Sequence, residues 1–444
     1  MRKILSLLLF VPAILPAKSG QEPPNIALAK PNVSGRWVVN TDFFGTTIYF
    51  RMELKQDSEK LTGNFDGDKL EGTLKGNAIY FLAKDDEGGT DEGKGTVQGA
   101  TITGTVVFTH ADDPHPTTHK FTAELVPSRS ARAPQRHEFV PTIFYRQFSA
   151  ANKPVLTIAS GDTVHTTTVD AGGKDEKGVT RVLGGNPETG PFYIETAAPG
   201  DTLVVHLTRV RLNRDWAESD DFLVGRAVDS DLAVKMKDGG KNVRWHLDVQ
   251  HGIGTPEKPA EHLTRYAVPL RPMLGCVAVA PNVAQAPPGT GDSGRYGGNM
   301  DFNEILEGAT VYLPVSVPGA LLYVGDGHAL QGDGELNGNA LETSMDVEFT
   351  VDVLPGKRIS GPRVESATHI MAMGLSGSLD DAFRAATAAM AQWLTDDYKL
   401  TPSEVAQVLG TSAEYRVSEV ADRNAGIVLK INKDRLQPLT PAAK

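Results

Sequence analysis

Cysteine is almost missing from this chain: one residue, Cys276, in 444. No disulfide within the chain can therefore staple the fold, and stability has to come from packing, metal or association. Long apolar runs are missing too. The run from Ile4 to Leu15 is broken by Pro12, which leaves it short of the roughly 20 residues a membrane-spanning helix needs, and no later run reaches that length. Basic residues are outnumbered, 44 Lys and Arg against 55 Asp and Glu, for a formal charge of -11. An acidic balance of this kind excludes nucleic acid as the natural partner and argues against docking on anionic lipid.

What is present begins with Arg2 and Lys3, the short apolar run, Pro16 and then Ala17-Lys18-Ser19. Charge, apolar core and small residues in that order read as a secretory signal peptide over 1–19, so the protein is expected in the periplasm or outside the cell. Its removal takes away three basic residues and no acid, moving the charge from -11 to -14. The remaining length predicts two or three domains.

Abundant glycine (45) and frequent proline (28) favour short strands and many turns over long helices. Residues 20–32 read as a tail. From 33 to 127, segments such as TTIYFRMELKQ alternate apolar with polar residues between glycine turns. That pattern predicts a small antiparallel β-barrel with one face inward. Asp112, Asp113, His115 and His119 near its end read as a solvated loop. Residues 128–138, polar, basic and punctuated by proline, read as a linker. The rest, 139–440, reads as a β-rich body that ends in an α+β part. A helix begins at Ser378 with Leu379, Ala382, Phe383, Ala386, Met390, Trp393 and Leu394 on one face. A second starts at Thr401-Pro402, where Glu404 completes a capping box and Gly410 is the expected stop.

The densest chemistry lies in GALLYVGDGHALQGDGELNGNALE, Gly319 to Glu342. A buried strand is expected to run into Gly325, after which Asp326 and His328, two residues apart, project to the same side of an extended chain. Gln331, Asp333 and Glu335 follow at the same spacing, and Glu342 closes the segment. Gly327, Gly332 and Gly334 are expected to supply the positive φ angles of an active-site loop. Glycine with Asp and Asn also makes ordinary turns. Cys276 sits in apolar company with no histidine nearby in the sequence, which favours a buried thiol over a nucleophile.

The run GDGHALQGDGE, the GGNMD motif ending at Asp301, and the stretches SGDTV, NPETGP and RPMLGCVAVAP together resemble the acetamidase/formamidase family of amide hydrolases over roughly 139–435. The N-terminal barrel lies outside that resemblance and is similar to lipocalin-like accessory modules. The resemblance implies a mainly β fold, a homo-oligomer and hydrolysis of a short linear amide, such as formamide or acetamide, by metal-activated water. It implies metal ligands among Asp170, Asp301, Asp326 and His328, and substrate contacts from Asn299 and Gln331. Glu335, ahead of Glu342, is the implied base. The cation would be zinc, with manganese, iron or calcium as alternatives. Where relatives read ETxDA, this chain has Thr167-Thr168-Val169-Asp170-Ala171, so one acid is lacking. Two alternatives stay open: a secreted β-sandwich that holds a structural metal and binds carbohydrate or peptide, and an inactive relative.

Overall fold

A computed structural model describes residues 31–113, 115–128, 132–236, 239–283 and 286–439. The expected signal peptide, nearly all of the tail and residues 129–131 of the expected linker lie outside the described residues. The fold is mainly β. Eight consecutive antiparallel strands, from Gly35–Phe43 to Thr117–Leu125, close into a barrel because the first pairs with the last. Alternation sends Trp37, Met52, Phe65, Phe81, Val106 and Phe121 inward, all essentially dry. Gly93 is needed here: a Cβ at that position would lie 2.1 Å from the Phe81 ring. His119, expected in a solvated loop, is instead buried on the last strand. Its ring stacks on Phe43 at 3.9 Å, and Nδ1 meets the Asp42 carbonyl at 3.0 Å.

The barrel is pinned to the body by ion pairs, Arg36 to the fully buried Asp201 at 2.9 Å and Arg358 to Asp66 at 2.7 Å. Beyond it two large sheets share one core, in which Phe192 of one sheet meets Phe349 of the other edge-on at 5.3 Å. The nine-stranded sheet is built on Thr202–Leu212 paired with Met345–Leu354. Helix Leu379–Tyr398 covers it with Ala382, Ala386, Met390, Trp393 and Leu394. Leu379 and Phe383, expected on that stripe, are substantially exposed; the Phe383 ring stacks on Tyr415 instead. The capping box at Thr401 and Glu404 forms, and its helix passes Gly410 to end at Ser412.

The twelve-stranded sheet carries the site. At its middle runs Leu322–His328, buried on both faces along its whole length. Glu188–Ile194, Met273–Ala278 and Glu342–Thr343 pair with it, each antiparallel. Register then decides what meets: His328 lies opposite both Met273 and Glu342, and Cys276 lies opposite Gly325 on one side and Asn299 on the other.

Candidate metal centre and active site

The strand register brings His328, Asp326, Glu342 and Asp301 into one buried cluster. His328 Nε2 stands 3.1 Å from Glu342 Oε1, 3.3 Å from Asp326 Oδ2 and 3.9 Å from Asp301 Oδ1. Two ligand-like triads share that imidazole, Asp326 with Glu342 and Asp301 with Glu335. Room for the convergence comes from Gly275 on the neighbouring strand. A Cβ there would lie 2.3 Å from Asp326 Oδ2 and 2.4 Å from Asp301 Oδ1. Alanine at this position would drive the carboxylates apart.

The backbone is unusual at the acids rather than at the expected glycines. Asp301, Asp326 and Glu335 all take positive φ, 41°, 50° and 47°, a conformation non-glycine residues adopt at a cost and typically at functional sites. Among the three glycines expected to do so, only Gly334 does. Gly327 has a different reason to be glycine, since a Cβ would strike the Met345 side chain.

Gln331 was expected at the substrate, but its amide is fully used within the fold. Nε2 donates to the carbonyls of Asp301 (2.5 Å) and Ser418 (3.1 Å), which turns Oε1 toward His328 Nδ1 at 2.8 Å. An amide oxygen can only accept, so Nδ1 carries the proton and Nε2 faces the carboxylates. Gln331 therefore fixes the imidazole and spends its amide N–H groups within the fold, while it also lines a cavity that reaches Glu335. Asn299 is corrected on the same ground. Its Nδ2 donates to Asp301 Oδ2 (2.5 Å) and Asp422 Oδ2 (2.6 Å), and its Oδ1 accepts from Asn186 (3.1 Å).

Asp170, expected among the ligands, stands outside both triads. The buried Arg214 guanidinium holds its Oδ2 at 2.7 Å, and the Lys174 N–H takes Oδ1 at 2.8 Å. Cys276 is wholly buried, and burial with Glu188 and Asp326 nearby pushes its thiol far up, so it is no thiolate nucleophile.

Sequence reasoning missed Glu188, Glu419 and Asp422. Glu188 is fully buried with both carboxylate oxygens unpartnered, and glycine at 325 makes way for it. One hydrogen bond between the two sheets ties its neighbour to the position where an acid is lacking: Thr189 Oγ1 donates to the Thr167 carbonyl. Its sequence signal is the acid within the NPETGP stretch, at the head of an otherwise uncharged strand. Glu419 and Asp422 arrive from the distant SEVAD loop, and no local pattern marks them.

So many buried carboxylates around one imidazole disturb their own ionisation. Burial, followed by Asp326, lifts Glu342 to about 7, and burial with mutual repulsion holds Asp301 and Glu335 well above the carboxylate range. Burial would lift Asp326 too, but the His328 charge and hydrogen bonds with His328, Asp301 and Glu342 together hold it down. In the metal-free chain His328 is in turn raised, because Glu342 and Asp326 together overcome its burial. Buried charge is normally paired or bound to metal. Asp301 Oδ1, Asp326 Oδ1 and Glu342 Oε2 have no hydrogen-bond partner, while His328 Nε2 faces Glu342 Oε1 and Asp326 Oδ2. Tetrahedral ligands about 2.0–2.2 Å from a zinc stand about 3.3–3.6 Å from one another, close to the spacings here. The donor set fits a divalent cation.

A model of the Acetamidase/Formamidase family matches residues 276–395. A stretch of 59 residues is 46% identical to a protein of Schizosaccharomyces pombe provisionally named a formamidase, and 61 residues are 41% identical to an acetamidase of Mycolicibacterium smegmatis. The chain spans only 14% and 15% of those two relatives, and the matches take up 13% and 14% of this chain. Likeness of structure extends much further. A protein of Thermoanaerobacter tengcongensis described as a predicted acetamidase/formamidase superposes with a TM-score of 0.59 at 27% identity, over 69% of this chain and 99% of that one. An acetamidase of Bacillus halodurans gives 0.58 at 26%, over 68% and 99%. The Acetamidase/Formamidase family model thus falls on the strands that assemble the acid cluster, and the two-sheet body resembles solved acetamidase/formamidase structures almost end to end, with an eight-stranded barrel before it.

Proposed function

We propose that the protein hydrolyses a linear carboxamide: water adds to the carbonyl carbon, the C–N bond breaks, and both protons of the water pass to nitrogen, so that carboxylate and ammonium leave. One observation carries this reading. Carboxylate oxygens of Glu342, Asp326 and Asp301 stand 3.1, 3.3 and 3.9 Å from His328 Nε2, and Glu335, which forms a triad with Asp301 and His328, lines a cavity open to solvent. An amide is a weak electrophile with a poor leaving group, so it needs an activated nucleophile, a polarised carbonyl and a proton for nitrogen. A divalent cation held by those four residues would supply Lewis acidity, lowering the pKa of water from 15.7 toward ~7 and polarising the carbonyl oxygen. Glu335 takes the proton of the attacking water and returns it to the departing nitrogen. Gln331 keeps the imidazole in the tautomer that presents Nε2, and Asn299 holds Asp301 in place.

Zinc is the first candidate, with manganese and iron behind it. Calcium prefers six to eight oxygen ligands, so the imidazole counts against it. Export rests on residues 1–19, and a homo-oligomer rests on the family resemblance. The mass of the mature chain and light scattering in solution test these two.

The primary test is ammonia release from formamide and acetamide, before and after chelation, with add-back of each metal. Turnover lost on chelation and restored by one metal is expected. Turnover that survives complete metal removal would overturn the mechanism, and bound metal with no turnover of any amide would favour a binding protein.

A further inference from the structure

Two cavities flank the acid cluster, and they differ in what they offer a substrate. The larger, about 730 Å³, is lined by Arg146, Gln147, Asn186 and Asp422 among others. It stops one residue short of the cluster, because the buried amide of Asn299 stands between Asp422 and Asp301 and bonds to both. The smaller, about 340 Å³, is lined by Glu335 itself, a member of the cluster. Only this second cavity brings a bound molecule against a carboxylate that reaches toward His328 and Asp301.

Most of its remaining wall is apolar, with Ser219, Gln331, Asp333 and Asn337 as the polar members. Trp245, Tyr266, Leu330, Leu336 and Leu341 line it. The indole N–H of Trp245 is spent on Ser219 Oγ at 2.9 Å, so the ring offers only its apolar surface, with Tyr266 set edge-on at 6.2 Å. Tyr266 and Leu336 are left 49% and 46% exposed. Formamide or acetamide would leave this wall wet: the volume lies in the range of clefts that bury drug-sized ligands, whereas acetamide has four non-hydrogen atoms. We infer that the amide cleaved here carries an aryl or branched alkyl acyl group, seated against Trp245, Tyr266 and Leu336 with its carbonyl toward Glu335 and the cluster. This rests on the amidase reading and adds the class of substrate.

Gly332 allows a direct test. It lines the cavity, its φ lies outside the left-handed region, and a Cβ there would meet nothing within 4 Å. Gly332→Phe can therefore be accommodated by the backbone while its ring fills the cavity. The full-length, metal-loaded protein is assayed with acetamide, isobutyramide and phenylacetamide. Each methylene buried is worth roughly fourfold, so kcat/KM is expected to rise along the series, by at least about 10²-fold from first to last. In Gly332→Phe the preference for phenylacetamide over acetamide is expected to fall at least about tenfold, through KM. Titration with phenylacetate, followed by tryptophan fluorescence, reads the cavity without turnover: saturable quenching is expected, and Gly332→Phe should abolish it.

Acetamide hydrolysed as well as phenylacetamide, or a variant in which both substrates lose equally, would overturn the assignment and leave the amidase reading standing. No amide hydrolysed by metal-loaded protein, with no phenylacetate bound, would overturn both.

Discussion

The barrel and the twelve-stranded sheet are made of the same antiparallel pairing, yet they fill their interiors in opposite ways. Inside the barrel lie Trp37, Phe65, Phe81 and Phe121. At the middle of the sheet lie Asp301, Asp326, Glu335, Glu342 and Glu188, all at least nine-tenths buried. The first filling contributes stability through apolar burial. The second gives stability up, because carboxylates removed from water and from counter-charge repel one another. What the strands share is an ability to set side-chain positions through register; what they place there differs with purpose.

The sharpest way to break the contrast is to remove the one imidazole. His328→Ala is expected to abolish stoichiometric metal binding and to lower amide turnover by at least about 10³-fold, roughly 4 kcal/mol, with barrel packing untouched; metal analysis and an ammonia assay check it. Phe81→Ala acts on the other side. It should cost about 3–4 kcal/mol of stability, read in urea unfolding, while metal content stays unchanged. Smaller again is Gln331→Ala, which frees the His328 ring. Metal affinity should fall about 10- to 100-fold, measured by competition with a chelator, with little change in the melting temperature.

The mildest effect is on pH dependence. Burial raises Glu342 to about 7 and Glu419, with Asp422 beside it, to about 8. Above about pH 4.5 an unfolded chain has released these protons while the metal-free folded chain keeps them. Stability of the metal-free protein should therefore be full below about pH 4.5 and decline as pH rises through 7 to 8. Metal should flatten that decline by accepting the ionised Glu342. Thermal unfolding at pH 5 and pH 8, with and without the cation, checks the sign.

The barrel was legible because its signal is local: alternation and turns within one segment specify the interior. The same locality made Asp326 and His328 readable as one face, and the structure does bring them within 3.3 Å. Failures came where partners lie far away in sequence. Asp170 is claimed by Arg214, and Gln331 by the carbonyls of Asp301 and Ser418. An amide whose donors and acceptor are all occupied looks no different in sequence from one waiting for substrate. Glu188 was missed because its importance depends on a pairing with a strand more than 130 residues on, beside Gly325.

That long-range pairing also bears on when the protein can acquire its cation. His328 meets Glu342 across one ladder, yet the strand of His328 is held in place by Glu188–Ile194 and Met273–Ala278, and Gln331 is fixed by the carbonyl of Ser418. Contacts so distant along the chain form late in folding. A nascent chain that lacks Ser418 has the ligands but not the frame that aims them. A cation held by this cluster would therefore load only after nearly the whole body has folded, and would be the one supplied where folding ends.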